Sequence, residues 1–166
     1  AFRDQLSQQL GLNIQGIKQT AERINRDKQG TPPYLRDVEL CCFVHKVEPM
    51  QQALDELDAW ISGIRRDQTS NRATAQPVEH LSSGKYKINP LVAWTEHDLW
   101  SYINRHDLPP HPLYSQGYIS VGCAPCTRPV QMGDDQRAGR WADSNKTECG
   151  LHTDVLSGTD NTEASK

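Results

Sequence analysis

Phe2-Arg3-Asp4-Gln5-Leu6-Ser7-Gln8-Gln9-Leu10-Gly11-Leu12-Asn13-Ile14-Gln15-Gly16-Ile17 opens with apolar residues four apart and then switches to an alternation of apolar and polar positions. Phe2, Leu6 and Leu10 make one helical stripe that Gly11 ends, and Leu12 to Ile17 has the period of a short strand. A helix stepping into a strand is the unit from which α/β layer folds are built. The chain continues in the same mixture. Residues 18–28 are helix-compatible until Gly30-Thr31-Pro32-Pro33 stops them, ahead of the segment from Tyr34 to Val47. Pro49 suits the first turn of a helix in which Met50, Leu54, Leu57 and Ile61 recur at three- and four-residue spacing.

Residues 65–84 are rich in Arg, Thr, Ser, Asn and Gln and are expected to be loop, with a short strand at Val78 to Leu81. Tyr86 to Leu91 is a further weak strand. Thr95-Glu96-His97-Asp98 resembles a capping box with Asp in place of Glu, opening a helix through Arg105 whose buried stripe is Leu99, Trp100 and Ile103. Pro109-Pro110-His111-Pro112 excludes helix. No internal repeat is present. After Asp154 the chain is Ser, Thr, Asp, Asn and Gly, with too little to bury, and residues 154–166 are expected to be a disordered polar tail.

At 166 residues the chain is long enough for one domain with a real core. Its mean hydropathy of -0.73 is polar. A span needs roughly 18 apolar residues in a row, which the sequence lacks, and Ala1-Phe2-Arg3-Asp4 has no apolar leader. Membrane insertion and secretion are therefore not expected, and a reducing, cytoplasmic compartment is. Formal charge is -3 and the isoelectric point is near 6.1, which argues against nucleic acid as the partner. Lys46, Arg65, Arg66, Arg72, Arg128, Arg137 and Arg140 nevertheless concentrate in the segments that carry or flank the cysteines. Local positive charge on an acidic chain suits a small anion better than a polymer.

The 5 cysteines are arranged as an adjacent pair, Cys41-Cys42, a Cys123-Ala-Pro-Cys126 pair, and Cys149 in Glu148-Cys149-Gly150-Leu151-His152. Two pairs supply the ligand number of zinc or of an iron–sulfur cluster and leave one thiol over. An adjacent pair tilts the balance toward [4Fe–4S], whose separate irons accommodate neighbouring sulfurs better than a single zinc ion. The distance between the pairs is no objection, because loop-closure cost grows slowly with length. Ordinary buried thiols and a redox-active CxxC are the competing readings, although Val121-Gly122 and Thr127-Arg128-Pro129 do not resemble a strand-to-helix redox setting. Cys149 has Lys146 and His152 three residues away on either side, beside a glycine. Nearby positive charge and a mobile loop are what a nucleophilic thiolate requires; an incidental exposed cysteine is the alternative.

Four motifs in order, Cys41-Cys42-x-x-x-Lys46-Val47-x-Pro49, Trp60-x-x-Gly63-x-Arg65-Arg66-x-Gln68, Gly117-Tyr118-x-Ser120-x-Gly122-Cys123-x-Pro125-Cys126-Thr127-Arg128-Pro129 and Glu148-Cys149-Gly150-Leu151-His152, resemble the assimilatory sulfonucleotide reductases. The likeness covers residues 1 to about 153 and points to the branch that uses adenosine 5′-phosphosulfate (APS), because the branch using 3′-phosphoadenosine 5′-phosphosulfate (PAPS) typically lacks the four paired cysteines. It implies a Rossmann-like, adenine nucleotide α-hydrolase-like (PP-loop) α/β fold, of which residues 1–153 would be the C-terminal part. The family's phosphate-cradling loop would lie upstream of Ala1, so this piece alone is expected to bind substrate poorly.

The resemblance further implies that Cys41, Cys42, Cys123 and Cys126 hold a [4Fe–4S] cluster and that Cys149 is the nucleophile. It places Lys46 between cluster and substrate, and Arg72, Arg137, Arg140 and His152 on the substrate's phosphate and sulfate groups. The implied reaction, a step in sulfate assimilation and cysteine biosynthesis, reduces APS to sulfite and AMP through an S-sulfocysteine resolved by thioredoxin or glutaredoxin. A homo-oligomer is compatible with it. The chain departs from the pattern at His45, where the family usually has Arg, and in a short segment between Trp141 and Cys149. A PAPS or dual-specificity reductase, and a zinc-binding interaction module, are the alternatives.

Overall fold

The computed structural model describes residues 1–20, 24, 32–131 and 133–152. They fall into two compact units. The first comprises Ala1–Gly16, Ile64–Ala75 and Leu91–Asn145; the second comprises Ile17–Gly63, Gln76–Pro90 and the described part of Lys146–Lys166.

In the first unit, helix α1 (Phe2–Leu10) forms as its stripe predicts, and Gly11 closes it at φ 63, returning its N–H to the Ser7 carbonyl. The strand expected next is absent. Leu12 and Ile14 are exposed and join no strand among the described residues. Alternation becomes a strand only when an adjacent chain supplies the ladder for its N–H and C=O groups. The helix expected over residues 18–28 falls mostly outside the described residues, as does the polar tail.

In the second unit the turn Pro33–Arg36 (α2) leads to Asp37, whose side chain accepts the Leu40 N–H at 2.9 Å and caps α3 (Val38–Cys42). The helical run then widens into a π-turn, Phe43–Val47, before continuing as α4 (Glu48–Leu54). Pro49 has no N–H to donate back, so the ladder ahead of it adjusts by one residue, with the Glu48 N–H reaching the Phe43 carbonyl. Cys42, Val44, Val47 and Leu54 supply the buried side.

The helix expected from Pro49 through Ile61 starts with Pro49 in its first turn, as expected, but is shorter. It stops at Leu54, because Asp55, Glu56 and Asp58 put negative charge at the end where helix carbonyls already concentrate it. Ile61, assigned from sequence to that helix, lies instead in strand β1 (Ala59–Ile61).

Strands β2 (Val78–His80) and β3 (Tyr86–Ile88) sit where the sequence places them. The sheet order is β1-β3-β2, with β1 parallel and β2 antiparallel to β3. Trp60, Lys87 and Glu79 occupy one row across it. Asn89, just beyond β3, is fully buried: its Nδ2 donates to the Gln76 carbonyl at 2.8 Å and to Glu79 at 3.0 Å, and its Oδ1 accepts from Ser62.

Back in the first unit, α5 (Glu96–Arg105) carries the expected cap. Thr95 Oγ1 accepts the Asp98 N–H, while Asp98 accepts from the Thr95 N–H at 2.9 Å and hydroxyl at 2.7 Å. Leu99, Trp100 and Ile103 are its half-buried stripe. The backbone and then the hydroxyl hydrogen bond from Thr95 hold the Asp98 carboxyl below its ordinary value. A depressed carboxylate stabilises the fold fully above the unfolded-state pKa, and that contribution is lost as pH falls through the folded-state value. Thr95→Ala should lower stability by about 1 kcal/mol at neutral pH. In urea melts across an acid pH series, Asp98→Asn should lack this part of the wild-type loss at low pH; an identical pH dependence would refute the assignment.

Candidate functional site

Within the first unit, Arg65, Gln68, Glu96, Trp100, Tyr114, Ile119, Ser120, Gln136 and Arg137 are among the residues lining a cleft of about 210 Å³. The loop from Arg65 to Arg72 is organised around Gln68, whose Oε1 accepts the Arg65 N–H at 3.0 Å and also the Arg72 guanidinium. Arg65 and Arg72 are both buried cations, and Arg65 Nε is paired with Asp67 at 2.9 Å. On the opposite wall Gln136 donates to Glu96 at the start of α5. Three guanidinium groups reach this cleft, those of Arg65 and Arg137 as part of its lining and that of Arg72 through Gln68, and a fourth, Arg140, adjoins it through Ser120.

The Cys123–Cys126 segment belongs to the same unit. Cys123 and Cys126 flank the turn Ala124–Cys126, with the Cys126 N–H on the Cys123 carbonyl at 2.9 Å and the Thr127 hydroxyl on the same oxygen. That turn is tied to the segment from Arg137 to Trp141: Trp141 N–H donates to the Cys126 carbonyl at 3.0 Å, and Arg128 N–H to the Gly139 carbonyl at 2.9 Å. Trp141 is buried with φ 48, a conformation that costs a bulky side chain strain. Its ring seats Arg140, whose guanidinium carbon lies 4.4 Å from the centroid, and Arg137 at 5.9 Å. Arg140 Nη1 donates to the Val121 carbonyl at 3.0 Å, and its guanidinium lies against Gly122, where a side chain would overlap it. The structure thus brings Cys123, Cys126, Arg137 and Arg140 into one loop cluster.

The second unit holds the remaining site candidates. Cys41 and Cys42 end α3, Cys42 buried and Cys41 half-buried, and half-buried Lys46 follows in the π-turn. Cys149 is half-buried between buried Glu148 and Gly150, whose φ of 86 requires glycine. His152 stacks on Trp60 at 5.9 Å and 16°. Lys146 pairs with Glu39.

No disulfide joins the cysteines. Among the described residues no three His, Cys, Asp or Glu side chains are gathered as a ready metal site, and each unit presents its own pair of thiols. The donor chemistry fits an iron–sulfur cluster: all four candidates are sulfur, and each pair is fixed by local backbone, one at a helix end and one around a proline-containing turn. Sequence reasoning did not single out Trp60, Gln68 or Ser120 as site residues, although all three stand in the motifs. The signal available was their place beside charged residues.

The family model described as the phosphoadenosine phosphosulfate reductase domain matches residues 1–129. The chain belongs to that family. It is 43% identical over 152 residues to an adenosine 5′-phosphosulfate reductase of Chelativorans sp., covering 91% of this chain and 62% of that protein. It is 48% identical over 118 residues to the reductase of the same name from Halalkalibacterium halodurans, covering 70% and 51%. The chain thus spans roughly half to three fifths of the curated relatives it matches.

Among solved structures, phosphoadenylyl-sulfate (PAPS) reductase from Candida auris, crystallised as a phosphate complex, aligns with a TM-score of 0.61 at 28% identity, covering 74% of this chain and 61% of that one. The family and this likeness establish the α/β, adenine nucleotide α-hydrolase-like (PP-loop) fold expected from the sequence. No helix among the described residues is long and apolar enough to cross a membrane.

Proposed function

We propose that this chain, as the part of a sulfonucleotide reductase spanning residues 1–153, reduces APS to sulfite and AMP in a cytoplasmic pathway of sulfate assimilation. The observation that carries the reading is the 43% identity to an APS reductase over a stretch long enough to take in most of the motifs, on a chain that keeps both cysteine pairs. The structure supports it in its own terms: buried and half-buried guanidinium groups around a small cleft suit phosphate and sulfate oxygens, which a planar fork can grip bidentately.

Arg72, Arg137, Arg140, Lys46 and His152 would bind the anionic end of the nucleotide. Cys149 thiolate would attack the sulfur of APS, forming the S–S bond as the bond from sulfur to the phosphate-bridging oxygen breaks and AMP departs with the electron pair. The S-sulfocysteine then accepts attack by a thiolate of reduced thioredoxin or glutaredoxin. Sulfite leaves, Cys149 is regenerated, and the donor ends as a disulfide. Cys41, Cys42, Cys123 and Cys126 would hold a [4Fe–4S] cluster, whose role would be structural and electrostatic, with no change of oxidation state required. A homo-oligomer is consistent with this reading.

The test compares turnover of APS and PAPS by the full-length reductase with thioredoxin, alongside metal analysis of anaerobically purified protein. Preference for APS and iron with acid-labile sulfide are expected. Clear preference for PAPS would overturn the substrate, and stoichiometric zinc without iron would overturn the cluster.

A further inference from the structure

The three-stranded sheet faces the wrong way for a simple core. Ile61, Val78 and Tyr86 are exposed, while in the row Trp60, Lys87 and Glu79 the central Lys87 is buried and its two neighbours are half-buried. Only 6% of the Lys87 side chain is accessible, and its Nζ pairs with Glu79 at 3.0 Å. An ion pair with its cation buried adds little stability over apolar residues of the same volume; what this one does is fix geometry.

The geometry it fixes is the indole of Trp60. Lys87 Nζ lies 5.8 Å from the ring centroid, Glu79 pins Lys87, and fully buried Asn89 pins Glu79 while accepting from Ser62. Each member of this row is held from more than one direction, which leaves the ring few alternative orientations. On that ring lies His152, nearly parallel to it. Trp60 Nε1 is buried without a hydrogen-bond partner among the described residues, so the position supplies a ring face rather than a donor.

We propose that Trp60 is a positioning residue for the Cys149 segment: the Glu79–Lys87 pair sets the indole as a platform, and His152, three residues beyond Cys149, lies on it. Lys146, three residues before Cys149, makes the opposite hold through Glu39 of α3. The Glu39 side chain is 70% accessible and that of Lys146 6%, so this second hold is open to solvent on its acidic side. The inference deepens the reading of Cys149 as the nucleophile, since a thiol that must accept first a nucleotide and then a protein thiolate needs a defined resting place.

Iodoacetamide labelling of the full chain tests it. Trypsin cuts after Lys146 and next at Lys166, so Cys149 is the sole cysteine of its own peptide. Trp60→Leu keeps apolar volume but removes the ring. It should raise the labelling rate of Cys149 roughly two- to tenfold, the range expected for losing one aromatic pair, with Cys123 unchanged. Trp60→Phe should stay within about twofold of wild type, because it restores a ring face. An unchanged Cys149 rate in Trp60→Leu, an equal rise at Cys123, or failure of Phe to restore protection would each overturn the proposal. Labelling needs no nucleotide, so a chain inactive on APS leaves this result standing, and an active chain does not rescue it.

Discussion

Cys149→Ser should retain its iron and its fold, yet form no covalent adduct with APS and lose at least about 10³-fold in turnover. The substitution changes one atom in a half-buried side chain, and the neighbouring Gly150, which needs its positive φ, is untouched. What disappears is the soft, readily ionised nucleophile, since a serine hydroxyl stays protonated near neutrality unless a strong base activates it. The measurement is intact mass after incubation with APS and no reductant, paired with iron and sulfide content. The wild-type full-length reductase should gain one sulfo group that thioredoxin removes. An adduct of undiminished yield in the serine variant would place the nucleophile elsewhere; loss of iron together with the adduct would mean that Cys149 is a ligand, and the four-plus-one division of the cysteines would fall.

That division is a reading of cysteine spacing and flanking residues, which are local signals. The α5 cap was legible for the same reason: Thr95 and Asp98 satisfy one another within a single turn. The shortened helix shows where local reading stops. Met50, Leu54, Leu57 and Ile61 keep helical spacing, but the acidic stretch after Leu54 and the pairing of the Asp58 carbonyl with the Tyr86 N–H turn the chain into β1 instead. The missing strand at Leu12 to Ile17 fails in the converse way, because its period is right and a ladder partner is what it lacks. Trp60 was visible only as a motif letter. Its platform role depends on Lys87 and Glu79, far along the chain and brought into register by the sheet.

In the full-length reductase, Gly122→Ala should raise the KM for APS about tenfold or more while leaving thermal stability and iron content close to wild type. Gly122 does not have a positive φ, so backbone strain plays no part and the space beside it decides the outcome. A methyl group there would overlap the Arg140 guanidinium, the far end of a flexible side chain that can swing aside without moving the backbone. Swinging aside gives up the bond to Val121, the weak contact with Ser120 and the seat over Trp141. A charge-assisted hydrogen bond to an anion contributes about 1.5–3 kcal/mol, which converts to roughly ten- to a hundredfold in binding. Gly139→Ala provides the contrast, since its methyl would meet the Arg128 backbone carbonyl, which cannot move alone. That variant should lose stability first, with the Thr127–Arg140 bridge and the turn it ties down. A Gly122→Ala chain with wild-type KM, or one that melts as early as Gly139→Ala, would remove Arg140 from the anion site.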